Sequence, residues 1–166
     1  HGLNREYVCL KNISSNAVLA VMGAEDQLFA EHYGFDLESI EKALEYNKRK
    51  PKKMRGASTI SQQVAKNVFL WQGRSWIRKG LEVYFTLMIE TLWSKKRIIE
   101  TYLNIAEMGD GVFGIQAASK KYFNKDAKDL TAAEASQIAA CLPNPKRYTV
   151  KPLSGYVASR YDNIMR

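Results

Sequence analysis

One stretch, Trp76 to Trp93, restricts the fold more than any other part of the chain. Almost every position in it is apolar, yet Arg78, Glu82, Thr86 and Glu90 recur every four residues and fall on one line along a helix. A stripe that narrow is too thin to be a solvated face. Its charges must pair with each other or line a cleft. A plain i,i+4 ion pair of Arg78 with Glu82 inside a crowded core is the simpler alternative. With Lys79 the stretch carries too much charge for a membrane span, so it is expected to be a core helix capped by Ser75.

Helical periodicity recurs elsewhere, and strand-like alternation is scarce. Ser14 or Ser15 can cap a helix with Val18, Leu19, Val21 and Met22, which delivers the chain to Glu25. Asp36 can cap a second, with Leu37, Ile40, Ala43 and Leu44 inward. Ser58 starts a third along Ile60, Val64 and Val68. Ser94 caps another, with Ile98, Ile99, Tyr102 and Leu103 inward. Gly109, Gly111 and Gly114 mark a turn-rich loop before a short helix to Phe123. Thr131 and Glu134 form a capping box, and Pro143 closes the helix it opens. With no repeat, low-complexity tract or clear linker, 166 residues suit one mainly α globular domain.

The balance of 25 basic and 17 acidic residues, a net charge of +8, favours a polyanionic partner: nucleic acid, anionic headgroups or a phosphorylated substrate. Cys9 and Cys141 are either buried thiols or one bridge, and two histidines with two sulfurs make a poor metal site. The chain opens on His1 and has no signal sequence, as a trimmed N-terminus would.

Two polar signatures carry the chemistry. The first is Glu25-Asp26-x-x-Phe29-x-x-His32-x-Gly34, where a helix yields to a loop. Adjacent residues point different ways, so one carboxylate faces a cleft while the other braces the loop, and a neighbouring negative charge favours a general base. Two surface acids at a helix end are the plainer reading, and His32 taken singly reads as a loop organiser. The second signature is Gly56-x-Ser58-Thr59-Ile60-x-Gln62-Gln63-x-x-Lys66-Asn67. Ser58, Gln62 and Lys66 align on a helix beside a row of Thr59, Gln63 and Asn67. Such amides and hydroxyls suit a polar ligand better than the Glu and Lys of an ordinary solvated face, although a polar surface helix is the alternative. Arg74, Arg78 and Lys79 beside Glu82 leave surplus positive charge, which suits a diphosphate leaving group. The run from Lys48 to Arg55 holds six cations in eight residues and reads equally as a solvated loop or as a nucleic-acid or headgroup patch. Phe69, Trp71 and Trp76 either pack in the core or touch a bilayer, and the core is the expected place.

These residues give the chain a close resemblance to the peptidoglycan glycosyltransferases, the bacterial transglycosylases that polymerise lipid II and share a family with the glycosyltransferase domain of class A penicillin-binding proteins. The two signatures are followed in order by Arg78-Lys79-x-x-Glu82, by Lys96-x-Ile98-Ile99-Glu100-x-Tyr102-Leu103-Asn104, and by Gly111-x-x-Gly114 leading to Ala117-Ala118 and Tyr122-Phe123. Five ordered motifs are specific where one alone is weak. The run Asn104 to Gly111 is most similar to the monofunctional biosynthetic type. Ile99, where the family often has Leu, is a mild departure.

The resemblance implies a lysozyme-like, two-lobed helical domain over residues 1–166 with a long cleft, a mobile jaw at about residues 35–57, and a membrane anchor outside this chain. It implies that Glu25 is the general base and Glu82 the second essential acid. Lys66, Arg74 and Lys79 would grip the pyrophosphate, while Ser58, Thr59, Gln62 and Asn67 line the donor site. Asp26, Phe29, His32, Arg78, Glu100 and Asn104 would support the cleft. A divalent cation, Mg or Mn, is an expected helper, with no organic cofactor. Expected partners are lipid II, the growing glycan chain, the membrane surface, and cell-wall synthesis or division proteins, but not nucleic acid. The expected location is the outer, periplasmic face of the bacterial inner membrane. Two readings compete: a lysozyme-like glycan-cleaving enzyme, which needs no clustered cations, and a basic module that binds nucleic acid or anionic lipid.

Overall fold

The computed structural model describes residues 4–53, 55–73 and 75–165. In chain order the elements are β1 (Asn4–Arg5), α1 (Ser15–Glu25), α2 (Leu37–Arg49), α3 (Ile60–Phe69), α4 (Trp76–Leu92), α5 (Lys95–Ile105), β2 (Glu107–Gly109), β3 (Val112–Phe113), α6 (Ile115–Phe123), α7 (Ala132–Cys141) and α8 (Gly155–Met165). Helix makes up 62% of the chain, the mainly α architecture expected of a lysozyme-like domain. The strands form one small sheet in the order β1-β3-β2, with β1 parallel and β2 antiparallel to β3. Among the described residues no helix is long and apolar enough to cross a membrane.

Short-range chemistry starts the helices. Ser14, Asp36, Ser75 and Thr131 each accept a backbone N–H of the first turn, and Thr131 and Glu134 close a full capping box. The Ser94 hydroxyl does the same for the Arg97 amide at the start of α5. The third helix begins one residue later than expected. Its N-cap is Thr59, not Ser58, because Thr59 and Gln62 make a reciprocal capping box.

Two compact units share the chain. One combines the N-terminal stretch through Gln27 with the chain from Ile99 onward, and the other is Leu28–Ile98. In the first unit α7 packs against both α1 and α8. Its alanines, with Ala17 and Ala20 of α1, keep side chains short where the helices approach. Of the apolar residues of α1, Val21 joins this seam, while Leu19 is left 65% exposed. The Met108 carbonyl accepts both the Tyr122 hydroxyl (3.1 Å) and the Cys141 thiol (3.3 Å). Gly109 permits this approach, since a Cβ there would meet the Tyr122 oxygen at 1.8 Å. Burial pushes both the Cys141 thiol and the Tyr122 hydroxyl up to about 12. Both cysteines are free. Cys9 is exposed, so neither a bridge nor a pair of buried thiols is formed.

In the second unit α3 packs on α4, burying Ile60, Val64, Ala65 and Ile89. Here α4 departs from expectation. Its polar stripe is the inward side: Glu82 and Thr86 are buried, while Trp76, Ile77, Tyr84, Leu87 and Leu92 are exposed. It is therefore not a core helix wrapped in apolar neighbours. Trp76 is 92% exposed, and Phe69 and Trp71 are also exposed, which removes all three from the core assigned to them. Phe69 stacks on Phe85 at 4.7 Å all the same. Likewise Leu37 and Leu44 of α2, expected inward, are exposed, and so is Val68 of α3.

The loop before α2 is locked onto the buried stripe through Gly34. Its φ of +87° is a conformation L side chains rarely adopt, and an added Cβ would lie 2.7 Å from Thr86 Cγ2 and 3.1 Å from Glu90 Cγ. Its carbonyl accepts the Thr59 hydroxyl at 2.6 Å. Gly34→Ala is expected to cost about 2–3 kcal/mol, combining left-handed strain with the clash. A thermal melt should show this as a drop of about 5–10 °C. An unchanged melting temperature would mean the loop is not held this way.

Candidate active site

The residues singled out from the sequence fall into two groups, one in each unit. In the first unit Glu25 is the last residue of α1, half-buried, and Asp26 follows it as a buried C-cap. Two ionisable neighbours sense Glu25. Burial and then the negative charge of Glu25 raise the Tyr102 hydroxyl well above its ordinary value, and burial does most of the same for Cys141. Glu25 thus stands at the end of a helix above a buried phenol and a buried thiol.

Glu100 and Asn104 lie one turn apart on α5, and their side chains hold the N-terminal segment. Glu100 accepts the Tyr7 hydroxyl and the Leu10 amide, both at 2.7 Å. Asn104 exchanges hydrogen bonds with Val8, accepting its N–H at 2.8 Å and donating to its carbonyl at 2.9 Å.

In the second unit, Thr59 and Gln62 are buried and committed to the α3 capping box, with the Thr59 hydroxyl also donating to Gly34. Ser58 and Asn67 are exposed and Lys66 is half-buried. The double polar row is therefore split: its N-terminal end builds the helix, and its outer members remain open to a ligand. The spacing of Thr59 and Gln62 is itself the capping-box signal that would have separated the two roles.

The start of α4 gathers the charged groups. The Lys79 ammonium donates to Glu82 at 2.7 Å, so the partner of Glu82 is its i−3 neighbour and not Arg78. Arg78 donates from Nε to the Trp71 carbonyl at 2.8 Å, and from Nη1 to that of Gly73. It therefore fastens the connection between α3 and α4 to the first turn of α4. Arg74, on that connection, lies outside the described residues. Ser75, Trp76, Arg78, Lys79 and Glu82 line a pocket of about 400 Å³. A half-exposed ammonium, a guanidinium and a helix N-terminus around one pocket suit an anion.

A further cluster was not legible in the sequence. Glu90, at the far end of the stripe, accepts the Ser61 hydroxyl and the Lys95 ammonium, the latter at 2.8 Å. Lys95 also donates to the His32 carbonyl at 2.6 Å and sits 4.6 Å from the centre of the Phe29 ring. His32 Nδ1 accepts the Gly34 amide at 3.1 Å, while Phe29 is buried and meets the His32 ring edge-on. Phe29 and His32 thus organise the loop, and Lys95 ties it to α4.

Residues 1–166 match the transglycosylase family over the whole chain. The chain belongs to that family. It is 60% identical over 161 residues to proteins named biosynthetic peptidoglycan transglycosylase from Escherichia coli (strains ATCC 8739 and K12 / DH10B) and Shigella sonnei (strain Ss046). The match covers 97% of this chain and 66% of each relative, so the chain spans just under two thirds of their length.

Glu90 and Lys95 have side chains only 6% and 29% exposed, so neither charge is well served by water. Lys95→Met is expected to destabilise the fold by about 3 kcal/mol by stranding the carboxylate, and Glu90→Gln in the same chain to recover more than half of that. Chemical denaturation measures both. A single-variant loss below about 1 kcal/mol would remove the pair from this role.

Proposed function

We propose that the chain is a peptidoglycan glycosyltransferase module that joins lipid II units into β-1,4-linked strands with release of undecaprenyl pyrophosphate. The observation that carries this reading is the Lys79–Glu82 pair with Arg78 around a pocket at the start of α4, in a chain of the transglycosylase family. The name of these relatives, biosynthetic peptidoglycan transglycosylase, supports the same substrate class.

The chemistry needs few parts. Glu25 takes the proton from the 4-hydroxyl of the acceptor GlcNAc. That oxygen forms a bond to the anomeric carbon of the donor MurNAc, the bond to the pyrophosphate oxygen breaks with its electron pair, and the configuration inverts. Lys66, Arg74 and Lys79 offset the charge gathering on the leaving group. Glu82 holds Lys79 in place by the 2.7 Å contact, which gives the second acid an orienting role. Ser58 and Asn67 are open to contact the donor, whereas Thr59 and Gln62 shape the helix that presents them. Because pyrophosphate is already a good leaving group, a base and a cationic clamp suffice. A glycan-cleaving enzyme must instead protonate a sugar oxygen.

A divalent cation would help to offset the charge on the leaving diphosphate. Among the described residues no group of three or more His, Cys, Asp or Glu can hold a metal, and Glu82 is the carboxylate that lines the pocket beside Lys79. Mg²⁺ or Mn²⁺ would draw its remaining ligands from the diphosphate and water.

The second unit also supports a membrane-surface partner and a location at the outer face of the inner membrane. Trp76, Ile77, Leu87 and Leu92 turn outward along α4. The basic loop after α2 is pre-shaped as well: the Asn47 amide bonds both N–H and carbonyl of Arg55, whose guanidinium lies 4.0 Å from the Tyr46 ring centre. Outward tryptophan and leucine with clustered lysines suit an anionic bilayer surface better than nucleic acid. The mobile jaw at residues 35–57, and division proteins as further partners, are part of the same proposal.

Glu25→Gln is expected to lower polymerisation of lipid II by at least about 1,000-fold while leaving its binding within about threefold. Turnover close to wild type in that variant would take Glu25 out of its assigned role.

A further inference from the structure

Three carbonyls in the last turn of α1, which carries Glu25, are met by partners from beyond the helix. The Met22 carbonyl accepts the Asp26 amide at 2.9 Å, and the Gly23 carbonyl accepts the Gln27 side chain at 3.4 Å. The Ala24 carbonyl, next to Glu25, accepts Nη2 of Arg160 at 3.0 Å. Arg160 lies on α8, 136 residues away in sequence, and is the only cation among these partners.

Arg160 is itself fixed. Its Nη1 donates to the Tyr156 hydroxyl at 2.6 Å, and the Tyr156 ring stacks on Tyr148 at 3.8 Å between centres, 11° from parallel. Two donors of one planar guanidinium are thus aimed at two acceptors, with the aromatic pair holding one of them in place. A cation at a helix C-terminus also meets the negative end of the helix dipole.

We propose that Arg160 is a positioning residue for Glu25: it fixes the terminal turn of α1 so that the carboxylate is held at one place and angle. α7 packs on both α1 and α8, so the bundle does not need Arg160 to assemble. What Arg160 adds is local, at the carbonyl preceding the base. A general base loses most of its effect when its oxygen is displaced by about 1 Å, so a slack turn should lower the chemical step and spare substrate binding.

The inference rests on Glu25 acting as the base, and the test separates the two. Steady-state lipid II polymerisation is measured for Arg160→Ala, Arg160→Lys and Glu25→Gln, with thermal melts and amide hydrogen exchange. Arg160→Ala is expected to lower kcat by about 30-fold with KM within about threefold. The Asp26 amide should exchange at least about tenfold faster, with the melting temperature within about 4 °C of wild type. Lysine keeps a charged donor for Ala24 and should restore about a third or more of the lost kcat. An Arg160→Ala kcat within about twofold of wild type, with Glu25→Gln inactive, overturns the Arg160 role alone. A loss that tracks the folded fraction, equal in the lysine and alanine variants, overturns it too. If Glu25→Gln keeps turnover, the assignment of the base fails and the Arg160 inference falls with it.

Discussion

The second unit depends on a carboxylate placed where a hydrocarbon would ordinarily go. Glu90 faces inward from α4, and its charge is tolerable only because Lys95 and Ser61 reach it. The same lysine holds the His32 carbonyl, and Gly34 two residues on is pressed against Thr86 and Glu90. Loop, α3 cap and α4 are thereby referenced to one buried charge. Breaking it leaves an unpaired carboxylate, a larger loss than any one hydrogen bond.

This arrangement turns α4 inside out relative to a helix of a water-soluble core. The polar line is spent internally beside Ile89, and much of the apolar surface faces outward, with Trp76 and Leu92 at either end. The first unit is ordinary by comparison. Alanines let α1 and α7 pack closely, and a buried phenol and thiol lie under Glu25. The first unit holds Glu25 at the end of α1, and the second holds Arg78 and Lys79 in the first turn of α4. In the proposed reaction the first would act as the base and the second would offset charge on a diphosphate leaving group.

Helix starts were legible because a cap is decided within four residues: Ser14, Asp36, Ser75 and Thr131 act as their spacing implies. The family, too, was legible from motif order, since five spaced motifs constrain each other as no single one does. The orientation of α4 was not, because apolar content normally predicts the buried side and nothing local records what lies outside. The hydroxyls and amides of α3 misled for a related reason. Thr59 and Gln62 resemble ligand-gripping residues by type, yet their i, i+3 spacing serves the helix end. Lys95 and Arg160 were out of reach, since each acts on a carbonyl 63 or 136 residues away.

The most direct measurement offers the protein two substrates in separate reactions, fluorescent lipid II and preformed uncrosslinked glycan strands. The account predicts lengthening polymer from lipid II, stoichiometric undecaprenyl pyrophosphate, and intact strands in the other tube. Shortened strands with no polymer from lipid II would contradict it and mark the chain as a glycan-cleaving enzyme.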